Sequence, residues 1–191
     1  MPLLNAASGY GAFTKILHWV VVVLFALQFT SASIMLRVGP DGTALGLSQA
    51  TYYNWHKSLG LLALVVAVLR LIARQSGQLP QWAPTLSSHE RAFIHRAEQV
   101  LYAAMFVMPI SGFIYVMAGS YGVNLFGVLK FGNPIGERAW LASAAGWVHT
   151  LTAIILGLTL AGHVGLVLWH QLVLKDGLLY RMLPRRQPDE A

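Results

Sequence analysis

Four long apolar segments alternate with shorter polar segments along this chain. They cover residues 13–36, 52–73, 92–118 and 143–174. Each is too long and too uniformly hydrophobic for a helix on the surface of a soluble protein. A helix needs about 20 mostly apolar residues to cross a hydrocarbon core about 30 Å thick. The pattern therefore predicts four membrane spans.

The segments between the spans carry turn residues. The connection over residues 37–51 contains Gly-Pro-Asp-Gly, that over 74–91 contains two prolines, and that over 119–142 is rich in glycine. Only helices and closed barrels satisfy every backbone polar group in lipid, and such long apolar runs exclude barrel strands. We therefore predict one all-α domain over residues 1–191, an integral membrane four-helix up-and-down bundle.

Composition supports lipid as the solvent and excludes several kinds of site. The chain is 56% hydrophobic and only 10% charged, whereas an ordinary soluble domain has about 25% charged residues. It has no cysteine, which excludes a disulfide framework, an iron–sulfur cluster and a haem attached through Cys-x-x-Cys-His. The net charge is +6, but the basic residues stand singly at the ends of apolar runs, so we expect no nucleic-acid partner.

The distribution of lysine and arginine predicts the orientation in the membrane. Nine of them fall on the side that holds both termini and the second connection, and four fall on the other side. Because cytoplasmic loops carry the excess of positive charge, we expect both termini to be cytoplasmic. The four residues expected on the outer side are Arg37, Lys57, Lys130 and Arg138.

Four of the seven histidines lie within the spans or at their ends. They are His18, His56, His149 and His163. An ionisable residue inside a span is by default a candidate for function. His149 and His163 are 14 residues apart, so on one helix they lie about 40° from eclipsed and about 21 Å apart along the axis. This spacing predicts two sites at two depths.

The up-and-down topology determines which histidines meet. It pairs His18 with His163 on the cytoplasmic side and His56 with His149 on the outer side. Two imidazoles that face each other without a carboxylate or thiolate are typical of bis-histidine haem ligation, whereas zinc needs three or four ligands at one point. We therefore predict two b-type haems with these four axial ligands to iron; the alternative is that each histidine only satisfies a neighbouring helix carbonyl.

Charged residues near these histidines are candidates for contacts with the haems. Arg70 and Arg74 follow His56 by 14 and 18 residues, so both lie near its helix face but at the cytoplasmic end, where either is a possible partner of a haem propionate. The alternative is that they are stop-transfer charges. Lys57 is a candidate at the outer haem, or simply a charge at the end of a helix.

Two further histidines are candidates for contact with a quinone. His170 follows His163 by seven residues and lies on nearly the same face, where it is placed to donate a proton to a quinone; the alternative is an interfacial histidine in water. His95, near the start of the third span, is a candidate for contact with haem or quinone. The sequence does not establish a catalytic residue. His170 and Lys57 are the two candidates for a catalytic role.

Several motifs, in order along nearly the whole chain, resemble the bacterial cytochrome b-561 family of diheme membrane cytochromes, which includes superoxide oxidases. They include Ile16-Leu17-His18-Trp19, His56-Lys57-Ser58-Leu59-Gly60, Met108-Pro109-Ile110-Ser111-Gly112 and Leu174-Lys175-Asp176-Gly177. The resemblance implies a four-helix fold in the bacterial inner membrane, haem ligation by the four histidines and electron exchange with quinone. Glu98 and Gln171 stand where the family often has a further histidine.

The expected function is transfer of single electrons between a periplasmic donor and ubiquinone. In the superoxide oxidase branch, the resemblance implies, superoxide is oxidised to oxygen and ubiquinone is reduced, which makes the chain an oxidoreductase. The four outer basic residues would attract an anionic donor. One alternative is a cytochrome b subunit that links a dehydrogenase or hydrogenase partner to quinone. Another is a haem-free transporter whose histidines relay protons.

Overall fold

The computed structural model describes residues 2–184, and four long helices dominate them. All four are long and apolar enough to cross a membrane. The predicted all-α, four-helix membrane fold is therefore confirmed. The helices are α1 (Ala12–Arg37), α2 (Gln49–Gln75), α3 (Ser88–Ala118) and α4 (Ala139–Trp169), which a π-helical turn (His170–Leu174) and a short 3-10 helix (Leu178–Arg181) follow.

The helices begin earlier than the apolar segments from which they were predicted. α3 shows the reason most clearly, because it begins at Ser88 and not near residue 92. Ser87 and Glu90 form a capping box: the Glu90 N–H donates to Ser87 Oγ at 3.3 Å, and the Ser87 N–H donates to Glu90 Oε2 at 2.7 Å. A polar first turn of this kind does not belong to the hydrophobic pattern.

Two small β-hairpins lie in the first and third connections, for which the sequence indicated turns but no strands. The strands β1 (Thr43–Ala44) and β2 (Leu47–Ser48) are antiparallel, as are β3 (Val123–Leu125) and β4 (Leu129–Phe131). Leu45 and Gly46 both have positive φ, at 51° and 76°, as a type I′ turn requires. Strands of two or three residues are too short to show an alternating pattern, so the sequence did not reveal them.

The described residues form two compact units. Unit 1 contains residues 2–20, 66–104 and 154–184, and unit 2 contains residues 21–65 and 105–153. Unit 1 thus holds the beginnings of α1 and α3 together with the ends of α2 and α4, and unit 2 holds the opposite ends. The beginnings and ends of successive helices thus alternate between the units, as they do when each helix runs opposite to the one before it.

Within unit 1, the N-terminal segment pairs with the second connection. Asn5 is buried and its Oδ1 accepts a hydrogen bond from the Gly11 N–H at 2.9 Å. The backbone N–H groups of Gln78 and Gln81 donate to the carbonyls of Asn5 and Ala7. Unit 1 contains seven of the described lysines and arginines and unit 2 contains four, so the charges divide as the sequence count indicated.

Many large apolar side chains are exposed on the outside of the helices, and several alanines are among the residues buried between them. Ala67 and Ala104 are at most 1% exposed, whereas Val65 and Leu158 are 56% and 71% exposed. Small residues let helix backbones approach closely in membrane proteins, and large exposed apolar patches are rare on soluble monomers. The exposed faces are therefore the lipid-facing ones.

Leu158, near the middle of α4, provides a test of this assignment. We expect Leu158→Arg to make membrane insertion less favourable by about 2.5–3.5 kcal/mol, because a central charge loses its hydration. Leu158→Phe is the matched control and should insert normally. The amount of protein in the membrane fraction measures the effect, and equal amounts of the two variants would show that this face does not meet lipid.

Candidate functional site

Unit 1 contains the first histidine pair, His18 on α1 and His163 on α4. The centres of their rings are 6.4 Å apart, and the ring planes are inclined by 63°. These are the partners expected from the topology. His18 comes from the beginning of its helix and His163 from near the end of its own, so the antiparallel course of the two helices brings the imidazoles together.

Unit 2 contains the second pair, His56 on α2 and His149 on α4. Their ring centres are 6.3 Å apart and their planes are inclined by 78°. Both histidines come from the first part of a helix. The two pairs therefore share one separation, although four different helix segments provide the ligands.

The separation within each pair fits two imidazoles on opposite sides of one metal ion. A bond from a metal to an imidazole nitrogen is about 2 Å long, and the ring centre lies ~1 Å behind that nitrogen, so two rings in line have centres about 6 Å apart. Among residues 2–184, no three His, Cys, Asp or Glu side chains come together as a metal site. The donor set fits a bis-histidine haem and not zinc.

The ring of His149 is held by the backbone of α3. Its Nδ1 lies 2.9 Å from the carbonyl oxygen of Met108 and 3.3 Å from Ser111 Oγ. Ser111 is buried and its hydroxyl donates to the same carbonyl at 3.1 Å. A carbonyl only accepts, so Nδ1 of His149 carries the proton and Nε2 keeps its lone pair.

The ring of His56 is fixed in the same tautomer by a hydroxyl. Nδ1 of His56 is 3.1 Å from Ser31 Oγ, and the Ser31 hydroxyl donates to the Gln28 carbonyl at 3.1 Å. The Ser31 proton is thus used, so its oxygen accepts the N–H of His56. The sequence assigned no role to Ser31 or to Ser111, although Ser111 stands in one of the quoted motifs, because neither spacing nor charge distinguishes a serine inside a membrane helix.

Arg70 lies beside His18 in unit 1. Its two terminal nitrogens are 3.3 and 3.4 Å from His18 Nδ1, and its guanidinium carbon is 5.6 Å from the centre of the Tyr102 ring. Arg70 Nε is buried and has no hydrogen-bond partner among the described residues. Because a buried donor without an acceptor is costly, this environment favours an anionic group beside Arg70.

Arg74, the other arginine proposed from the sequence, already has a carboxylate partner. Its Nε and one terminal nitrogen donate to the two oxygens of Glu98 at 2.9 and 3.2 Å. Glu98 stands where the resembled family often has histidine, and here it neutralises Arg74.

Lys15 lies one turn before His18 on α1 and is 4% exposed. The sequence analysis did not identify it as a site residue.

Lys57 and its neighbour attach α2 to the second hairpin in unit 2. The Lys57 ammonium donates to the carbonyl of Gly122 at 3.0 Å. Ser58 is fully buried; its oxygen accepts the N–H of Phe126 at 2.8 Å, and its hydroxyl donates to the Asn54 carbonyl at the same distance. Lys57 therefore has a structural contact in addition to its charge.

His170 lies at the start of the π-helical turn and is fully buried. Its Nδ1 is 2.6 Å from Asp176 Oδ2, and its Nε2 is 3.2 Å from Glu90 Oε1. Burial disfavours the charged form of Asp176, but hydrogen bonds from Thr85 and His170 outweigh it, so the pKa of Asp176 lies below its usual value. Both ring nitrogens of His170 are thus occupied by carboxylates.

A cavity of about 470 Å³ adjoins this cluster in unit 1. Asp176 lines it, and so do aromatic and basic side chains of the second connection and the C-terminal segment, among them Trp82, Tyr180 and Arg181.

His95, the other histidine proposed for contact with haem or quinone, is exposed on α3. Its Nε2 is 3.4 Å from the side-chain amide of Gln99, one turn further on.

Comparison with known proteins gives one family and several relatives. The model of the family described as Prokaryotic cytochrome b561 matches residues 9–185. The chain is 26% identical to cytochrome b561 homolog 2 of Escherichia coli (strain K12), over 99% of this chain and 98% of that protein. It is 26% identical to cytochrome b561 homolog 1 of the same strain, over 90% and 94%.

A further relative carries a more specific name. The chain is 27% identical to a protein of Yersinia pestis named probable superoxide oxidase CybB, over 90% of this chain and 93% of that protein. The alignments with all three relatives extend over nearly the full length of both partners. The match to the family model, over residues 9–185, spans all four helices.

The cluster of His170 with its two carboxylates generates a prediction for stability. We expect His170→Ala to lower the thermal midpoint in detergent by about 5 °C, since Asp176 and Glu90 lose their shared donor. The matched control is His95→Ala, because His95 is exposed. If both variants unfold at the midpoint of the unaltered protein, the cluster does not stabilise this end of α4.

Proposed function

Because the chain belongs to the prokaryotic cytochrome b561 family, we propose that this membrane oxidoreductase binds two b-type haems, one between His18 and His163 and one between His56 and His149. The observation that carries the proposal is the common separation of the two imidazole pairs, 6.4 and 6.3 Å. Haem supplies a centre that accepts and releases one electron. A haem held by two histidines would favour electron transfer over oxygen binding.

Arg70 is the proposed partner of a propionate at the His18–His163 site. When His18 binds iron through Nε2, its Nδ1 carries the proton, and the guanidinium of Arg70, which only donates, is free to bind a carboxylate. The unpartnered Nε of Arg70 supports this role. Arg74 is the weaker candidate because Glu98 already binds it in bidentate geometry.

Ubiquinone is the proposed electron acceptor, and the cavity in unit 1 is the proposed site for its head group. The cavity combines aromatic side chains with Asp176 and Arg181. Reduction of a quinone to a quinol needs two protons as well as two electrons. Both nitrogens of His170 are occupied, so we assign its contribution to holding Asp176 and not to a direct contact with quinone.

Superoxide is the proposed donor, and unit 2 the proposed periplasmic side, so that both termini face the cytoplasm. The division of basic residues between the units supports this orientation, and the name of the Yersinia pestis relative supports the donor. Two superoxide anions each lose one electron and leave as oxygen, while one ubiquinone takes up these two electrons and two protons.

Substitution of single ligands tests the two sites separately. We expect His149→Ala to reduce the haem content from two per chain to about one, with loss of the haem at the His56–His149 site, since a single imidazole holds a b-type haem weakly. His163→Ala should remove the other haem instead. Haem quantitation and reduced-minus-oxidised spectra measure both effects.

His95→Ala is the control for these variants, because it removes an exposed histidine. It should retain both haems. Equal loss of both haems in His149→Ala and His163→Ala would contradict the pairing. A colourless preparation of the unaltered chain would exclude haem altogether and favour a haem-free transporter.

Exposed charges of unit 2 test the proposed donor. We expect Lys130→Gln combined with Arg138→Gln to slow superoxide consumption by proteoliposomes about two-fold or more at low ionic strength, because both side chains are exposed and attract an anion. The difference should vanish at ~0.5 M salt, where screening is strong. Lys57 is left intact because it also binds the Gly122 carbonyl.

Arg96→Gln is the matched control, since Arg96 is exposed but belongs to unit 1. Its rate of superoxide consumption should equal that of the unaltered protein at every salt concentration. If the double variant behaves in the same way as this control, electrostatic attraction of the donor to unit 2 is excluded.

A further inference from the structure

We propose that three residues of unit 2, Ser31, Met108 and Gly112, are positioning residues that fix the tautomer, the ring orientation and the electron donation of the imidazoles of His56 and His149. We call these three residues the anchoring set. The inference rests on the proposed function, because it concerns how this chain tunes the haem at the His56–His149 site. The three residues do not touch the iron; they act through the two ligands.

The first component is the carbonyl of Met108. It accepts the N–H of His149 Nδ1 at 2.9 Å, which is shorter than the hydrogen bond between His56 and Ser31 at 3.1 Å. A histidine that donates its second N–H to a carbonyl has one defined tautomer, and its other nitrogen becomes a stronger electron donor to a metal. Stronger donation stabilises ferric over ferrous iron and so lowers the reduction potential.

The second component is the missing side chain of Gly112, one turn after Met108 on α3. A Cβ at position 112 would lie 3.0 Å from Cε1 and 3.1 Å from Nδ1 of His149, tighter than ordinary van der Waals contact. The imidazole is a rigid ring, so its position relative to α3 would have to shift by a few tenths of an ångström. Glycine is therefore what allows His149 to approach the backbone of α3 this closely.

The third component is the hydroxyl of Ser31, which serves the opposite ligand. Ser31 is 7% exposed and accepts the N–H of His56 while it donates to the Gln28 carbonyl. Both imidazoles of this pair thus donate an N–H to an oxygen. In the His18–His163 pair, by contrast, the neighbour of His18 Nδ1 is the guanidinium of Arg70, which cannot accept.

Ser31 provides the cleanest test, because substitution by alanine removes one oxygen without adding volume. We expect Ser31→Ala to retain two haems per chain and to shift the reduction potential of the haem at the His56–His149 site upward in a potentiometric titration. Ser31→Thr keeps the hydroxyl and should restore the original potential. The potential of the other haem should not change in either variant.

Gly112 provides an independent test. We expect Gly112→Ala to change the low-spin ferric electron paramagnetic resonance signal of the same haem, since its g values depend on the angle between the imidazole planes, and to raise its potential. Gly157→Ala on α4 is the matched control, because a Cβ there meets nothing within 4 Å. It should leave the signals and potentials of both haems unchanged.

The outcomes separate this inference from the function on which it rests. Unaltered potentials in both Ser31→Ala and Gly112→Ala, with two haems still bound, would overturn the anchoring set and leave the haem sites intact. An upward shift in Ser31→Ala that Ser31→Thr does not reverse would also overturn the role of the hydroxyl. If the unaltered chain binds no haem at all, the proposed function fails first.

Discussion

The structure depends on one constraint, which is that imidazoles from different helices must face each other at about 6 Å inside a membrane. Lipid offers no water to solvate an unpaired ring nitrogen, so each histidine needs a partner within the protein. The alternating direction of the helices brings imidazoles together twice, His18 with His163 across the antiparallel α1 and α4, and His56 with His149 across α2 and α4, which run in the same direction. The ring centres are 6.4 and 6.3 Å apart. The position of each histidine along its helix follows from this requirement, whereas the length of the helices follows from the thickness of the hydrocarbon core.

The two sites meet this constraint in electrostatically different ways. In unit 2, oxygen acceptors bind the N–H groups of both His56 and His149. In unit 1, the cation of Arg70 lies beside His18, and the same unit contains most of the described basic residues. Acceptors strengthen the imidazole as a donor, whereas a nearby cation favours a carboxylate partner. The two histidine pairs therefore lie in two different electrostatic environments.

Much of this arrangement was predictable because it follows from periodicity and topology. Four apolar runs of sufficient length specify four spans, and the 14-residue interval between His149 and His163 specifies two depths on one helix. Alternation of helix direction then assigns the partners without any knowledge of tertiary packing. The helix ends were less accurate, since the capping box of Ser87 and Glu90 lies in a polar segment outside the apolar run.

The residues that hold the ligands were not predictable from the same signals. The carbonyl of Met108 is a backbone group that every residue has, and the contribution of Gly112 is the absence of an atom, which only the distance to His149 makes visible. His170 shows the converse case: its position suggested a free proton donor, but Asp176, six residues further along the chain, and Glu90, at the start of α3, occupy both of its ring nitrogens. Contacts of this kind depend on side-chain direction across helices, which spacing along one helix does not determine.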